Sequence, residues 1–510
     1  MSRRYDLSDD SVVVVIGSGA GGGTVANELA QKGIDVVCLE AGGRLSLADV
    51  VNDPPEMDRR MGWHHEREGA AVWLCKTVGG TTMRWSGVSP RFLAHEFKAL
   101  STYGAIDDTS LIDWPLTLEE LEPYYVKAEA KMGVSGTNGL PPSKKNANFQ
   151  VLEAGARRVG YKDITTSHIS INSRAYDGRP GCRQIGFCND GCAIGAKWST
   201  LYTEIPKAEQ TDHFELRPNS MAIRIRHNDG GRVTSVVYRD KDSNLHEQKA
   251  RAVCVAGNVV ETTRLLLLSK SNRFPEGLAN SAGNVGKHYT RHMAHGAWAI
   301  MPGPVNAHRG AQQAGFIRDE HGHAPARGFA GGYLIELSGL HAEYHSRRAG
   351  WGEQARDWME AYANASGAFL VGEDPPQESN RIYLHPTRTD DLGLPVPVLD
   401  YTHHPNTKAM IKHAATQARA LYESLGATDY RDNTNDLGGA CHNMGVARMS
   451  DDPRDGVTNR FGQAHDVPNL FVSDGSVFST SAAPNPTLTI VALAIRQADH
   501  IAQRMTRNEI

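Results

Sequence analysis

Val12-Val-Val-Val-Ile16-Gly17-Ser-Gly-Ala-Gly-Gly-Gly23 is the stretch whose reading decides the fold. A short β-branched run closed by glycine reads as a buried parallel strand. Thr24–Lys32 behind it has helical composition, and Gly33 stops that helix. Ile34–Leu39 reads as a second strand, finishing at Glu40-Ala41-Gly42. Together these make a strand–loop–helix–strand unit of the dinucleotide-binding kind. Within Gly17-x-Gly19-x-x-Gly22 the first glycine permits the tight turn and the second lets the backbone approach a pyrophosphate. The third allows the helix to pack closely on the strand. The pyrophosphate then rests at the positive N-terminal end of the helix. Glu40 closes the second strand, where its carboxylate accepts hydrogen bonds from ribose hydroxyls. The motif alone does not separate NAD from FAD.

Outward from this unit, the chain of 510 residues is too long for one compact core, so two domains with discontinuous segments are expected. Net charge is −4 and the basic residues are scattered, which argues against a nucleic-acid partner. The longest apolar runs, Val12–Ile16 and Thr489–Ile495, fall far short of the roughly 20 residues of a membrane-spanning helix. Met1–Asp10 is polar. Arg3-Arg4 is followed by no apolar stretch of signal length, so no cleaved targeting segment is expected. The expected location is the cytoplasm, or the periplasm if the chain is exported on a partner that carries the signal.

Further elements follow from pattern. Residues 43–75 read as irregular and charged, and Gly79-Gly-Thr-Thr-Met-Arg-Trp-Ser-Gly87 is a second glycine-rich loop. Leu118–Met132 reads as a helix, and residues 133–180 as a surface segment. Ala222–Arg226 and Val233–Arg239 form a hairpin, Ala252–Ala256 a buried strand and Glu261–Ser269 a helix. Residues 290–430 have the texture of a second domain, with a helix near Trp351–Ala363. Leu470–Val472 is a strand and Pro486–Met505 a long helix. Asn485 is placed to cap that helix and Pro486 suits its first turn. A helix start aimed at a flavin ring would stabilise the negative charge of hydride uptake. A histidine ordinarily titrates near neutrality, and His442 is a candidate to take the proton from an alcohol.

These residues resemble the glucose–methanol–choline oxidoreductase family, over most of the chain. The likeness is strongest over 11–45, 76–92, 180–200, 250–270 and 438–505. Gly17, Gly19, Gly22 and Glu40 resemble the FAD-binding start, and Gly79-Gly80-Thr81-Thr82 the loop that covers the flavin. Ala256-Gly257 with Glu261-Thr-Thr-Arg-Leu-Leu resembles the later signature, and Asp474 the acid near the ribityl chain. Asn485-Pro486-Thr487 resembles the turn at the isoalloxazine, and Ala222 completes the cofactor-binding set. His442 and Asn485 match the family's catalytic histidine and its His-or-Asn partner. The resemblance implies an α/β fold, with a Rossmann-like FAD-binding domain (1–100, 180–290 and 465–510). A mixed-sheet substrate-binding domain (101–179 and 291–464) would contribute His442. The implied reaction is oxidation of an alcohol CH–OH, of a sugar, glycoside or polyol, by hydride transfer to FAD. Covalent-flavin relatives carry a histidine just before the loop tryptophan. Here Arg84 precedes Trp85, so non-covalent FAD is expected, with Arg84 either contacting flavin or substrate or forming a surface salt bridge.

The seven cysteines are odd in number, and Cys182, Cys188 and Cys192 are clustered, which fits metal or cluster binding better than a disulfide framework. The segment resembles the one that holds a [3Fe-4S] cluster in bacterial FAD-dependent glucose dehydrogenases. The alternative is three buried small hydrophobes. Zinc is disfavoured, since His168 is only a distant fourth ligand. With a cluster the chain is a dehydrogenase that feeds a cytochrome or quinone, accompanied by a small chaperone-like subunit. Without one, an O₂-using oxidase stays open, as does a flavin-containing lyase without redox turnover. The flavin-type tail disfavours an NAD enzyme.

Overall fold

The computed structural model describes residues 4–63, 68–432 and 442–510. Arg3 of the Arg3-Arg4 pair and Cys441 lie outside the described residues.

Five strands form a parallel sheet: β1 (Val13–Ile16), β2 (Val36–Leu39), β3 (Phe214–Arg217), β4 (Ala252–Val255) and β5 (Leu470–Val472). Their spatial order is β5–β4–β1–β2–β3. All of β1, β2 and β4 is buried, as expected of unbroken apolar runs covered on both faces. Helix α1 (Ala20–Ala30) crosses between β1 and β2. It starts four residues earlier than the composition suggests, because the glycine loop itself makes the first turn. Nothing larger fits there: a Cβ on Gly21 would lie 1.6 Å from the Ser473 carbonyl oxygen. Helix α2 (Asn258–Leu268) follows β4, and α3 (Thr487–Thr506) follows β5 and packs on α1.

A second sheet of six strands is wholly antiparallel, in the order 429–432, 293–300, 365–372, 333–338, 313–317, 164–165. The mixed pairing expected of this region is present in a small sheet of Arg381–Thr389, Pro395–Asp400 and Glu68–Gly69. Helix Pro405–Ser424 covers one face of the large sheet with Met410, Ala414, Ala418, Leu421 and Tyr422, a helical spacing that the sequence reading passed over. Two segments read as irregular also hold helices. In Pro54–Met61, Asp53 caps by accepting from the Glu56 amide at 3.1 Å. In Ala147–Arg158, Asn146 accepts from the Phe149 amide at 2.8 Å. In both, a residue that reads as loop composition is the cap that starts the helix. Residues 133–180 therefore do not simply follow the surface: Phe149, Leu152 and Ala156 enter the core under the large sheet. The Ala222 hairpin is a three-stranded meander, Met221–His227, Val233–Arg239 and Leu245–Lys249.

Candidate active site

One cavity of about 400 Å³ runs from the glycine loop to the uncovered face of the six-stranded sheet. At its first end, Gly17 has φ +96°, and a Cβ there would lie 2.3 Å from the Ala256 carbonyl oxygen. A Cβ on Gly22 would lie 2.0 Å from the Gly17 carbonyl oxygen. Gly19 differs: its Cβ would meet only the Gly80 Cα, at 3.9 Å, so that position faces open space. The start of α1 has no side-chain cap and no acid in its first turn, which leaves its N–H groups free for an anion. Glu40 is buried beside it. One of its oxygens accepts from the Ser18 amide and hydroxyl at 3.0 and 2.7 Å, the other from the Gly42 amide at 2.8 Å. The oxygen that accepts from Gly42 alone retains a further lone pair for a ribose hydroxyl. Burial raises the Glu40 pKa, and these donors oppose the shift.

The second glycine loop closes over the first. Gly79 donates its amide to the Ser18 hydroxyl at 3.0 Å. Gly80, Thr81 and Thr82 line the cavity, and Thr82 is held by the Gly79 carbonyl at 2.5 Å. Ala222, Asp474, Pro486 and Thr487 line it too. Asp474 is fixed by the Thr262 hydroxyl at 2.6 Å and the Ser476 amide at 2.8 Å. The glycine-lined opening, the bare helix start and the buried acid are what a dinucleotide of FAD length needs. Arg84 also lines the cavity, and it pairs with buried Asp190 on one side and with half-exposed Asp58 on the other. The Arg84 side chain is 5% exposed and lies over the Trp73 ring.

At the other end a two-residue antiparallel ladder pairs Thr290 with Met444 and Arg291 with Asn443. The next residue on each strand is a histidine, so His292 and His442 face one another, Nδ1 to Nδ1 at 3.0 Å. His292 Nε2 meets the Ser481 carbonyl at 3.2 Å. A carbonyl only accepts, so that nitrogen carries the proton and His292 Nδ1 is a lone pair. His442 Nδ1–H therefore donates to it, and His442 Nε2 is left as the acceptor. The Asn485 side-chain amide, at 3.4 Å, donates to that Nε2. All three contacts agree in direction. Burial lowers the His442 pKa to about 4, so its imidazole is neutral at ordinary pH and ready to accept a proton. Asn485 is not the helix cap: Pro486 occupies that position, and the Asn485 side chain is free to reach His442. His292 carries no motif and lies 150 residues from His442, so nothing in the sequence marked it.

Cys182, Cys188 and Cys192 are free and half-buried, and all three pack against Val88, Ile169, Ile171 and Ala196. Cys182 Sγ accepts from the Gln184 amide at 3.4 Å, and Cys188 Sγ from the Gln312 amide at 3.5 Å. Burial pushes the Cys188 thiol up to about 12. Among the described residues the one trio whose ligand atoms lie within 4.8 Å of each other is His95, Glu96 and Glu373, so the three thiols do not converge on a single ion.

Two family models, each described as GMC oxidoreductase, match residues 21–294 and 376–494. A 2-methyl-1,2-propanediol dehydrogenase of Mycolicibacterium austroafricanum is 32% identical, covering 98% of this chain and 96% of that one. Fructose dehydrogenase large subunit of Gluconobacter japonicus is 29% identical over 96% and 97%. Paromamine 6'-oxidase of Streptomyces fradiae is 30% identical over 98% and 93%. In fold, the chain matches pyridoxine 4-oxidase from Mesorbium loti with a TM-score of 0.70 at 16% identity, covering 97% of this chain and 99% of that one.

Proposed function

This chain belongs to the GMC oxidoreductase family, an FAD-dependent oxidoreductase acting on an alcohol CH–OH group, and from that premise we propose how its own residues do the work. His442 is the base and Asn485 its partner. The directed contact chain Asn485–His442–His292–Ser481, set on the same cavity as the nucleotide cradle, carries this reading. His442 Nε2 takes the hydroxyl proton of the substrate. The Asn485 amide, already beside that nitrogen, holds the substrate oxygen as the carbonyl forms. His292 keeps the His442 lone pair turned to the cavity throughout. Bound FAD supplies the acceptor for the hydride that leaves the same carbon. The apolar wall of Leu340, Phe369 and Trp298 limits water around the reacting carbon.

The finer assignments belong to the same reading. FAD is held non-covalently by the Gly17–Gly22 loop, Glu40, the Gly79–Thr82 loop, Ala222, Asp474 and the Asn485–Thr487 turn. The FAD-binding part comprises 1–100, 180–290 and 465–510, and the substrate-binding part the rest. Cys182, Cys188 and Cys192 hold a [3Fe-4S] cluster. Three free thiols in an apolar nest with N–H donors on sulfur fit one, and Asn189 and Gln312, next to Cys188, line the cavity. Such a cluster would pass electrons singly to a cytochrome or quinone, with a small partner subunit as the resemblance to a large subunit suggests. Among the described residues no helix is long and apolar enough to cross a membrane. The site of action is the cytoplasm, or the periplasm by co-export. An oxidase is the second reading, favoured by the likeness to paromamine 6'-oxidase.

The test is the anaerobic visible spectrum of the purified protein before and after a panel of diols and sugars. Flavin bands bleached by an alcohol are expected, with a broad brown absorbance that Cys188→Ser removes. Bleaching restored by air with peroxide formed, and no brown absorbance, would give the oxidase. Flavin bands that no alcohol bleaches would reject the alcohol reaction and leave the lyase.

A further inference from the structure

Glu336 lies on the strand Tyr333–Ser338 and is 1% exposed, yet it lines the cavity. The register explains why. Glu336 stands opposite Phe316 on one side and Phe369 on the other, while Ile335 and Leu337 turn into the core under the sheet. Two residues on, Ser338 stands opposite Gln313 and Gly367, and Gly367 opposite Trp298. One face of the sheet thus offers Glu336, Ser338 and Gln313, flanked by the rings of Phe369 and Trp298, all lining the cavity that His442 reaches.

The polar atoms on this wall are of one kind. Glu336 Oε1, Gln313 Oε1 and Asn485 Oδ1 are all buried without a hydrogen-bond partner. All three are acceptors. Glu336 takes part in none of the ion pairs of the described residues. Burial pushes its carboxyl up to about 7, opposed only by the Asn485 amide. Arg348, a cation beside the same wall, is stacked over Trp298 and donates to the Tyr344 carbonyl. No ion pair joins it to Glu336 among the described residues. A buried acid without a cation is costly to ionise, and unpaired acceptors lining a cavity are satisfied by donors on whatever fills it. A substrate hydroxyl offers one donor and no charge. A protonated amine offers three donors and the missing charge.

We propose that Glu336, with Gln313, forms a subsite for a protonated amino group, so that the substrate is an amino alcohol or amino sugar whose CH–OH is oxidised at His442. This rests on the reading of His442 as base, because the subsite is defined by its place on the same cavity. On binding, the ammonium pairs with the Glu336 carboxylate, and its remaining N–H groups reach the Gln313 carbonyl and the neighbouring wall. No covalent change occurs at Glu336.

The test compares matched pairs on the FAD-loaded enzyme: 3-amino-1,2-propanediol with glycerol, and glucosamine with glucose. Anaerobic flavin bleaching gives turnover, and calorimetry gives binding independently of turnover. The amine of each pair is expected to bind and react at least tenfold better. Glu336→Gln should collapse that ratio to near one, and Glu336→Asp should keep part of it. Wild-type enzyme that binds the neutral partner as tightly as the amine overturns the subsite without recourse to any variant. So does a Glu336→Gln enzyme that loses both members of a pair alike, which would make Glu336 a support for Asn485. If amines bind through Glu336 but nothing bleaches the flavin, the subsite stands and the alcohol-oxidation reading fails.

Discussion

The two ends of the cavity are built in opposite ways. The heart of the nucleotide cradle is local: strand, turn, helix start and acid all lie between Val13 and Gly42, and backbone does most of the work. The chemical end is assembled from residues far apart in the chain. His292, Glu336, His442 and Asn485 come from separate strands and turns, and side chains do the work. A local, backbone-made site tolerates almost no side chain where the ligand passes. A dispersed, side-chain site depends on the orientation of each member.

The largest effect should come from filling the cradle. Gly19→Leu places a side chain in open space rather than against protein, so the apoprotein should keep its thermal midpoint while FAD content falls below detection. A lowered midpoint would mean that Gly19 serves the fold and not the ligand. The other end should break in the complementary way. His442→Ala is expected to keep its flavin spectrum and lose about 10³-fold in the rate of flavin reduction. Parallel loss of flavin would erase the distinction between the ends.

His292 sharpens it further. His292→Leu removes the acceptor of the His442 Nδ1 proton and should cost roughly 10–100-fold, as for partners that orient histidines elsewhere. His292→Asn, whose oxygen sits near the lost nitrogen, should restore much of the rate. His292→Asp should move the acid limb of the pH–rate profile upward, because a carboxylate favours the protonated imidazole. An Asn variant no better than Leu would reduce His292 to packing.

The smallest effect is on stability. His442 is held down to about 4 from 6.5 by burial. Below pH 6.5 the unfolded chain takes up a proton that the folded protein refuses until about pH 4. Stability should therefore fall as pH drops through that window, by ~3 kcal/mol for this group. Chemical denaturation of the holoprotein at pH 7 and 4.5 measures the loss, and His442→Leu should reduce it by that share while the other buried histidines keep theirs.

How much the sequence reveals follows the same division. Gly17, Gly19, Gly22 and Glu40 are legible because their spacing along the chain is their spacing in space. β1, β2, β4, β5 and α3 were legible as apolar runs bounded by glycine, proline or a cap. His442 stands out as a candidate base on its own chemistry, its pairing with Asn485 comes from resemblance, and the cap role belongs to Pro486. His292 and Glu336 could not be found. Each owes its place to strand register, and register across a long separation leaves no trace in local pattern. The helices starting at Pro54, Ala147 and Pro405 were missed because Asp53, Asn146 and His404 look like loop residues until the turn they cap is seen.

β5 sits at the edge of the parallel sheet beside β4, and the Asn485 turn and α3 come after it. A chain emerging from the ribosome can therefore form β1, β2 and α1 early, but it lacks one wall of the cradle and one half of the proposed His442–Asn485 pair until residues 470–506 are out. Synthesis itself enforces an order in which no partly made chain can bleed electrons from a bound flavin. A ribosome stalled before residue 470 should carry a product that is inert and not merely incomplete.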